Sequence, residues 1–199
     1  MNKLLIRITD LMVSFLGLVI LLPFLLILGI WISLDSKGSF IFRQIRVGKG
    51  NRDFYLCKFR TMSINSERGG LITVGAKDPR VTRAGVFLRK YKLDELPQLW
   101  NVLIGDMSLV GPRPEVRKYV EMYSSEQMAV LKVKPGITDI ASITFSNENE
   151  LLSKENDPEK YYVSVIMPEK IRLNRVFIDN PSWLHYLRII LKTVIHLFH

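Results

Sequence analysis

Two adjacent carboxylates, Asp94 and Glu95, stand in the run Leu93-Asp94-Glu95-Leu96-Pro97-Gln98-Leu99-Trp100-Asn101. Pro97 is tolerated only in a first helical turn, so this run predicts a helix that starts at the carboxylates, with Asp94 at or near the N-cap. The unpaired N–H groups and positive dipole end of such a helix favour an ionised Asp94 and would equally favour a bound phosphate. Successive residues on a helix point about 100° apart, so the two carboxylates cannot duplicate one another. One could be a nucleophile or metal ligand while the other positions or transfers a proton. The plain structural alternative is a capping Asp followed by a first-turn Glu that suits the dipole.

Cations surround this pair in the sequence. Arg89, Lys90 and Lys92 lie just upstream, and Gly111-Pro112-Arg113-Pro114 follows as a turn whose prolines restrict where Arg113 can point. A guanidinium fork held in a rigid frame suits bidentate binding of phosphate, which a solvated surface arginine does not need. Two further basic runs, Arg43 to Lys49 and Lys58-Phe59-Arg60-Thr61-Met62, add to the positive field, and neither has the spacing of a Walker loop. The whole chain carries a formal net charge of +9, which directs it to anionic partners. A nucleic-acid partner would need a basic stripe with stacking aromatics, whereas these cations cluster around carboxylates that repel a nucleic-acid backbone. The single cysteine, Cys57, excludes an internal disulfide, and the three histidines have no cysteine near them to build structural zinc.

The elements that must position these groups begin with an apolar segment. Leu11 to Leu34 carries no charge and is long enough as a helix to cross a hydrocarbon core of about 30 Å. It leads straight into basic sequence with no cleavage-site pattern, which predicts a retained membrane segment over residues 1–35. Pro23 sits near its midpoint, and Lys3 and Arg7 before it are matched by Lys37, Arg43, Arg46 and Lys49 after it. A re-entrant helix-break-helix hairpin dipping into one leaflet satisfies both facts, and a proline-kinked spanning helix is the alternative. Residues 36–199 read as one globular domain of α+β class, rich in helix with a small β element. Short strands are expected at Ser39–Gln44 and Asp53–Phe59, and helices at Arg83–Tyr91, Leu96–Ile104 and Val116–Val133. The polar stretch Ala141–Ser164 reads as a long surface loop or lid. A last helix from Ser182 places Leu184, Leu187, Leu191, Val194 and Phe198 on one face, suited to core docking or to a membrane interface.

In this order the motifs closely resemble the bacterial monotopic phosphoglycosyl transferases, the bacterial sugar transferase family. The resemblance covers nearly the whole chain. It runs through the apolar segment with Pro23, Gln44-x-Arg46-x-Gly48, Lys58-Phe59-Arg60-Thr61-Met62, Leu93 to Gln98, Asn101 to Ser108, Gly111-Pro112-Arg113-Pro114 and Lys134-Pro135-Gly136-Ile137-Thr138. It implies a monotopic enzyme on the cytoplasmic face of the bacterial inner membrane that moves a sugar 1-phosphate from a UDP-sugar to undecaprenyl phosphate, releasing UMP. That reaction opens the assembly of a surface glycan, with downstream glycosyltransferases as further partners. The resemblance implies Asp94 as nucleophile and Mg2+ contact, Glu95 as its dyad partner, and Arg89, Arg113, Lys58 and Arg60 as phosphate-binding cations. A basic membrane-tethered binding or scaffold protein without catalysis is the alternative. Two departures from the family pattern stand out: Leu22-Pro23 replaces the usual Ser-Pro at the membrane break, and Asp139 to Glu148 replaces the usual sequence after Thr138.

Overall fold

The computed structural model describes residues 2–64, 66 and 78–197. A single helix, α1 (Asn2–Asp35), precedes a body with two small sheets and helices of mostly short length. Strands β1 (Ile41–Val47) and β2 (Asp53–Phe59) form an antiparallel hairpin in the register Ile41↔Phe59 to Val47↔Asp53. Helices α2 (Arg83–Lys90) and α3 (Gln98–Ile104) follow, and then β3 (Ser108–Val110), which pairs in parallel with β4 (Gly136–Thr138). The remainder is helical: α4 (Arg117–Val120), α5 (Ile140–Thr144), α6 (Glu148–Ser153), α7 (Pro158–Tyr161), α8 (Met167–Asp179) and α9 (Trp183–Leu197). This is the expected helix-rich α+β class.

Helix α1 runs unbroken through Pro23, where a helix-break-helix pair was expected. Proline removes one backbone donor, and long flanking turns can carry a helix across that loss. Most of α1 presents apolar side chains outward, among them Ile20, Ile27, Ile30 and Leu34, and only Asp10, Ser14, Leu28, Gly29 and Ile32 are buried. An apolar surface of this extent needs a non-aqueous neighbour.

Polar anchors fasten α1 to the body near both ends. Arg7 donates to the carbonyls of Val102 (2.8 Å) and Leu103 (3.1 Å), placing a cation at the C-terminal end of α3. Asp10 is buried and accepts from Ser108 Oγ (3.0 Å), the Leu109 amide (2.8 Å) and the Tyr186 hydroxyl. Near the other end, Leu28 and Ile32 pack with Phe59, Ala84 and Leu88. Helix α9 closes the main core, with Tyr186 and Ile189 buried beside Val102, Met107 and Val110. Its other face exposes Leu184, Leu191, Val194 and Ile195, while Phe198 lies outside the described residues.

Two stretches differ from the sequence reading. Val116–Val133 is not one helix: after α4 the chain restarts as a 3-10 turn at Gln127–Lys132. The Ser124 amide donates to Gln127 Oε1 (2.8 Å) and the Gln127 amide to Ser124 Oγ (3.2 Å), a reciprocal capping box that begins a new helical segment. Residues 141–164 form α5, α6, α7 and a π-turn at Tyr162–Ile166 rather than a loop. Caps delimit these helices, since Asp139, just before the stretch, accepts from the Ser142 amide and Asp157, within it, from the Lys160 amide. Leu152, Tyr162 and Ile166 go into a second core.

Two glycines let the turn after β3 meet the chain entering β4. A Cβ on Gly136 would lie 2.1 Å from the Gly111 nitrogen, and one on Gly111 would lie 2.4 Å from the Lys134 carbonyl oxygen. At Gly50, where φ is 70, a Cβ would meet nothing within 4 Å. Gly136→Ala should therefore cost about 3 kcal/mol or more through forced backbone movement, and Gly50→Ala only about 1 kcal/mol from its left-handed conformation. Thermal unfolding in detergent checks this, and equal losses for the two variants would refute the backbone crossing.

Candidate active site

Three separate segments converge on the carboxylates. Lys58 comes from the end of β2, Arg89 from the last turn of α2, and Arg113 from the turn after β3. Asp94 and Glu95 lie in a 3-10 turn at Leu93–Glu95, ahead of α3 rather than at its N-cap. Pro97 is the residue before the first turn of α3, and no side chain caps that helix. The Asp94 side chain is thus not spent on capping. The turn is set by Lys92, which ends α2 in the left-handed region at φ 56 and turns the chain toward α3.

Glu95 is fully engaged. Lys58 Nζ donates to its Oε1 at 3.1 Å, while the Arg113 fork donates to both oxygens, from Nη1 to Oε2 at 3.4 Å and from Nη2 to Oε1. Burial opposes ionisation of Glu95, but the charges and hydrogen bonds of Arg113 and Lys58 together hold its carboxyl well below the usual carboxylate range. Half-buried Asp94 accepts no hydrogen bond from any described residue. Burial pushes its carboxyl above the ordinary value, and the Glu95 charge adds to this against the pull of Lys58, Arg113 and Arg89. Neighbouring carboxylates are thereby driven apart, one locked in an ion pair and the other left open.

Arg113 owes its direction to the backbone around it. The Gly111 amide donates to Thr138 O (3.0 Å), the Gly136 amide to Pro112 O (3.0 Å) and the Arg113 amide to Asp139 Oδ2 (2.8 Å). Arg46 Nη1 donates to Pro114 O (3.0 Å), so every residue of the turn is held. Asp139 also accepts from Asn174 Nδ2 (3.1 Å) while capping α5. Arg89 donates Nε to Thr61 Oγ1 at 2.9 Å, and its terminal nitrogens donate to no described residue. That open fork faces the same region as Asp94, whose charge it stabilises through space.

Arg60 stands apart from the other cations named in the sequence: it is buried and gives its donors to backbone carbonyls around the end of α1. Pro23 is exposed on α1. Sequence reasoning passed over Thr61, Asp139 and Asp10. Asp10 carried a signal, since an acid within the first turns of an apolar helix needs a built partner.

The donor set bears on Mg2+. Among the described residues no three or more His, Cys, Asp or Glu side chains gather into a metal cage. An open carboxylate such as Asp94 suits a magnesium ion whose remaining ligands are water and substrate phosphate oxygens.

An apolar helix fastened to a small α+β body, with a carboxylate among phosphate-seeking cations, fits an enzyme that acts on phosphate esters beside a membrane. The chain belongs to the bacterial sugar transferase family, whose profile matches residues 1–199. It is 46% identical over 120 residues to a Bacillus subtilis (strain 168) protein provisionally named an undecaprenyl-phosphate N-acetylgalactosaminyl 1-phosphate transferase, covering 60% of this chain and 67% of that one. It is 44% identical over 137 residues to the UDP-N-acetylgalactosamine-undecaprenyl-phosphate N-acetylgalactosaminephosphotransferase of Aeromonas hydrophila (67% of this chain, 32% of that one). The UDP-glucose:undecaprenyl-phosphate glucose-1-phosphate transferase of Klebsiella pneumoniae is 41% identical over 152 residues (74% and 33%). The chain thus spans about a third of the length of the last two.

The opposed environments of the two carboxylates set opposite stability effects. A raised native pKa means that ionising Asp94, as pH rises through the unfolded value of about 4, costs stability. Asp94→Asn should therefore raise the unfolding temperature at pH 7, with the gain vanishing below about pH 4. Glu95 contributes stability above its unfolded value, and that contribution is lost only as pH falls through its depressed native value. Glu95→Gln should cost on the order of 2 kcal/mol at pH 7 by stranding Arg113 and Lys58. Equal destabilisation by both substitutions in thermal unfolding would contradict this division.

Proposed function

We propose that the protein transfers a sugar 1-phosphate from a UDP-sugar to undecaprenyl phosphate, giving a polyprenyl diphosphate sugar and UMP. The observation that carries this reading is an Asp94 that accepts no hydrogen bond from any described residue, in the field of an Arg89 whose terminal nitrogens donate to none of them. In the proposed first step an Asp94 oxygen attacks the sugar-linked phosphorus. The bond from that phosphorus to the bridging oxygen breaks, and UMP leaves with the electron pair. The acyl phosphate so formed is resolved when an oxygen of the lipid phosphate attacks the same phosphorus and the Asp94 oxygen departs.

Arg89 and Lys58 bind and orient the diphosphate, while Glu95 acts by holding Arg113 and Lys58 where charge develops. The desolvation that raises the Asp94 pKa leaves its carboxylate poorly solvated and more reactive once ionised. Magnesium held at Asp94, when bound, supplies the Lewis acid that neutralises the diphosphate charge a carboxylate must approach.

We place the enzyme as a monotopic protein on the cytoplasmic face of the bacterial inner membrane, with both ends of α1 on that face, feeding downstream glycosyltransferases. Support comes from the anchoring of α1: Arg7 and Asp10 near one end, and Asp35 at the other, bond to the same body. A spanning helix would leave one of these ends across the bilayer.

Because the names of the relatives carry different sugars, the assay takes a panel of UDP-sugars. UMP release should require a UDP-sugar, polyprenol phosphate and Mg2+ together, and no release with any member of the panel would refute the reading. In intact cells, cysteines introduced by Lys3→Cys and Phe40→Cys should both resist an impermeant label applied from outside. Labelling at position 3 alone would overturn the placement of both ends of α1 on one face.

A further inference from the structure

We infer that Asp35 and Arg60 are positioning residues for the transfer reaction, forming a clasp that ties the exit of the apolar helix to the helix bearing Arg89. The inference rests on the transferase reading for its kinetic consequences. Its geometry stands independently.

Arg60 is 7% exposed and sits directly after β2. Its guanidinium donates to the carbonyls of Ser36 (2.7 Å), Lys37 (2.5 Å), Ser39 (2.7 Å), Gly38 (3.2 Å) and Ile32 (3.4 Å). Of these only the Ile32 carbonyl lies within α1, where it also accepts from the Ser36 amide (3.2 Å), and the chain beyond the helix wraps the cation through Gly38 at φ 114. A cation at a helix C-terminus also meets the negative end of the dipole. Each of its three nitrogens donates to backbone carbonyls at the exit of α1, which commits the Arg60 fork to that exit rather than to the carboxylates.

The next residue, Thr61, holds α2. Its carbonyl accepts from the Thr82 amide (3.0 Å), and its hydroxyl accepts from Arg89 Nε (2.9 Å). Contact is so close that a Cβ on Gly85 would lie 2.1 Å from the Thr61 carbonyl oxygen. Asp35, the last residue of α1, completes the loop: its Oδ2 accepts from the Ala84 amide (3.0 Å) in the first turn of α2. A carboxylate there serves a donor that the helix itself cannot satisfy. Trp31 on α1 and Phe87 on α2 add an edge-to-face contact at 5.3 Å.

Three ties therefore close a triangle of α1, the end of β2 and α2. Arg89, in the last turn of α2, takes its position relative to the membrane helix from this triangle. Loosening it should displace the Arg89 fork from Asp94 without removing any group that touches substrate.

The test is a double-mutant cycle in the full-length protein in lipid nanodiscs, read by UMP release and by amide hydrogen exchange. Asp35→Ala should lower kcat about tenfold with little change in KM for the UDP-sugar. Asp35→Asn keeps an oxygen that can accept from Ala84 and should retain at least about half the activity. Combined with Arg89→Lys, Asp35→Ala should cost no more than about a further twofold, because both act through one guanidinium. Arg60→Lys should fail to rescue, whereas a phosphate-binding arginine would keep part of its function as a lysine.

Amides of α2 should exchange faster in Asp35→Ala while those of α8 do not change. Fully multiplicative losses, a rise confined to KM, or unchanged exchange in α2 would each overturn the clasp. Faster α2 exchange in a protein whose wild type releases no UMP would uphold the clasp and overturn the transferase reading.

Discussion

Glu95 is held by two cations that reach it from separate segments, Arg113 from the turn after β3 and Lys58 from the end of β2. Breaking a buried pair of this kind strands the remaining charges, so the arrangement cannot relax by small steps. It fixes three things together. The β1–β2 hairpin is locked to the turn after β3, the positive field is concentrated beside Asp94, and Asp94 is left without a hydrogen-bonding partner among the described residues. A carboxylate bound as tightly as Glu95 would be a poor nucleophile, and one as unengaged as Asp94 would be costly to keep for structure alone. The division of labour follows from which of two neighbours the cations reach.

The apolar helix is part of the same construction. Its outward surface is suited to lipid, yet its few buried residues include Asp10 and Ser14, with Asp10 bonded to β3 and α9. Burial of such a group is tolerable only with its hydrogen bonds complete, which makes the docking of α1 specific in position. The body in turn relies on α1, since Leu28 and Ile32 fill a core with Phe59, Ala84 and Leu88. Membrane attachment and assembly of the site are therefore one folding problem.

Much of this was legible in the sequence wherever local chemistry decided the outcome. The Asp94-Glu95 pair, the nearby Arg89 and the proline-framed Arg113 all come together in the structure, because short motifs dictate their turns. Gly105, at φ 100, closes α3 as its sequence position suggests. Long-range partnerships escaped. Arg60 lies in the same motif as Lys58, but it points to carbonyls around the end of α1, and no spacing rule shows which of two nearby cations faces the site. The capping box at Ser124 and Gln127 was readable but was outweighed by the apolar periodicity of 116–133. In residues 141–164 the polar residues act as caps and solvated faces of short helices, which composition alone does not separate from a loop. At Pro23 the expected break is absent because one lost donor does not end a long helix.

The claim that Asp94 is the open, reacting carboxylate is tested most directly by intact mass and peptide mapping after exposure to the sugar nucleotide and Mg2+ without lipid acceptor. The account predicts an added sugar-phosphate mass on the peptide bearing Asp94, absent in Asp94→Asn and discharged when polyprenol phosphate is added. An adduct that maps to Glu95, or one that persists in Asp94→Asn, would contradict it.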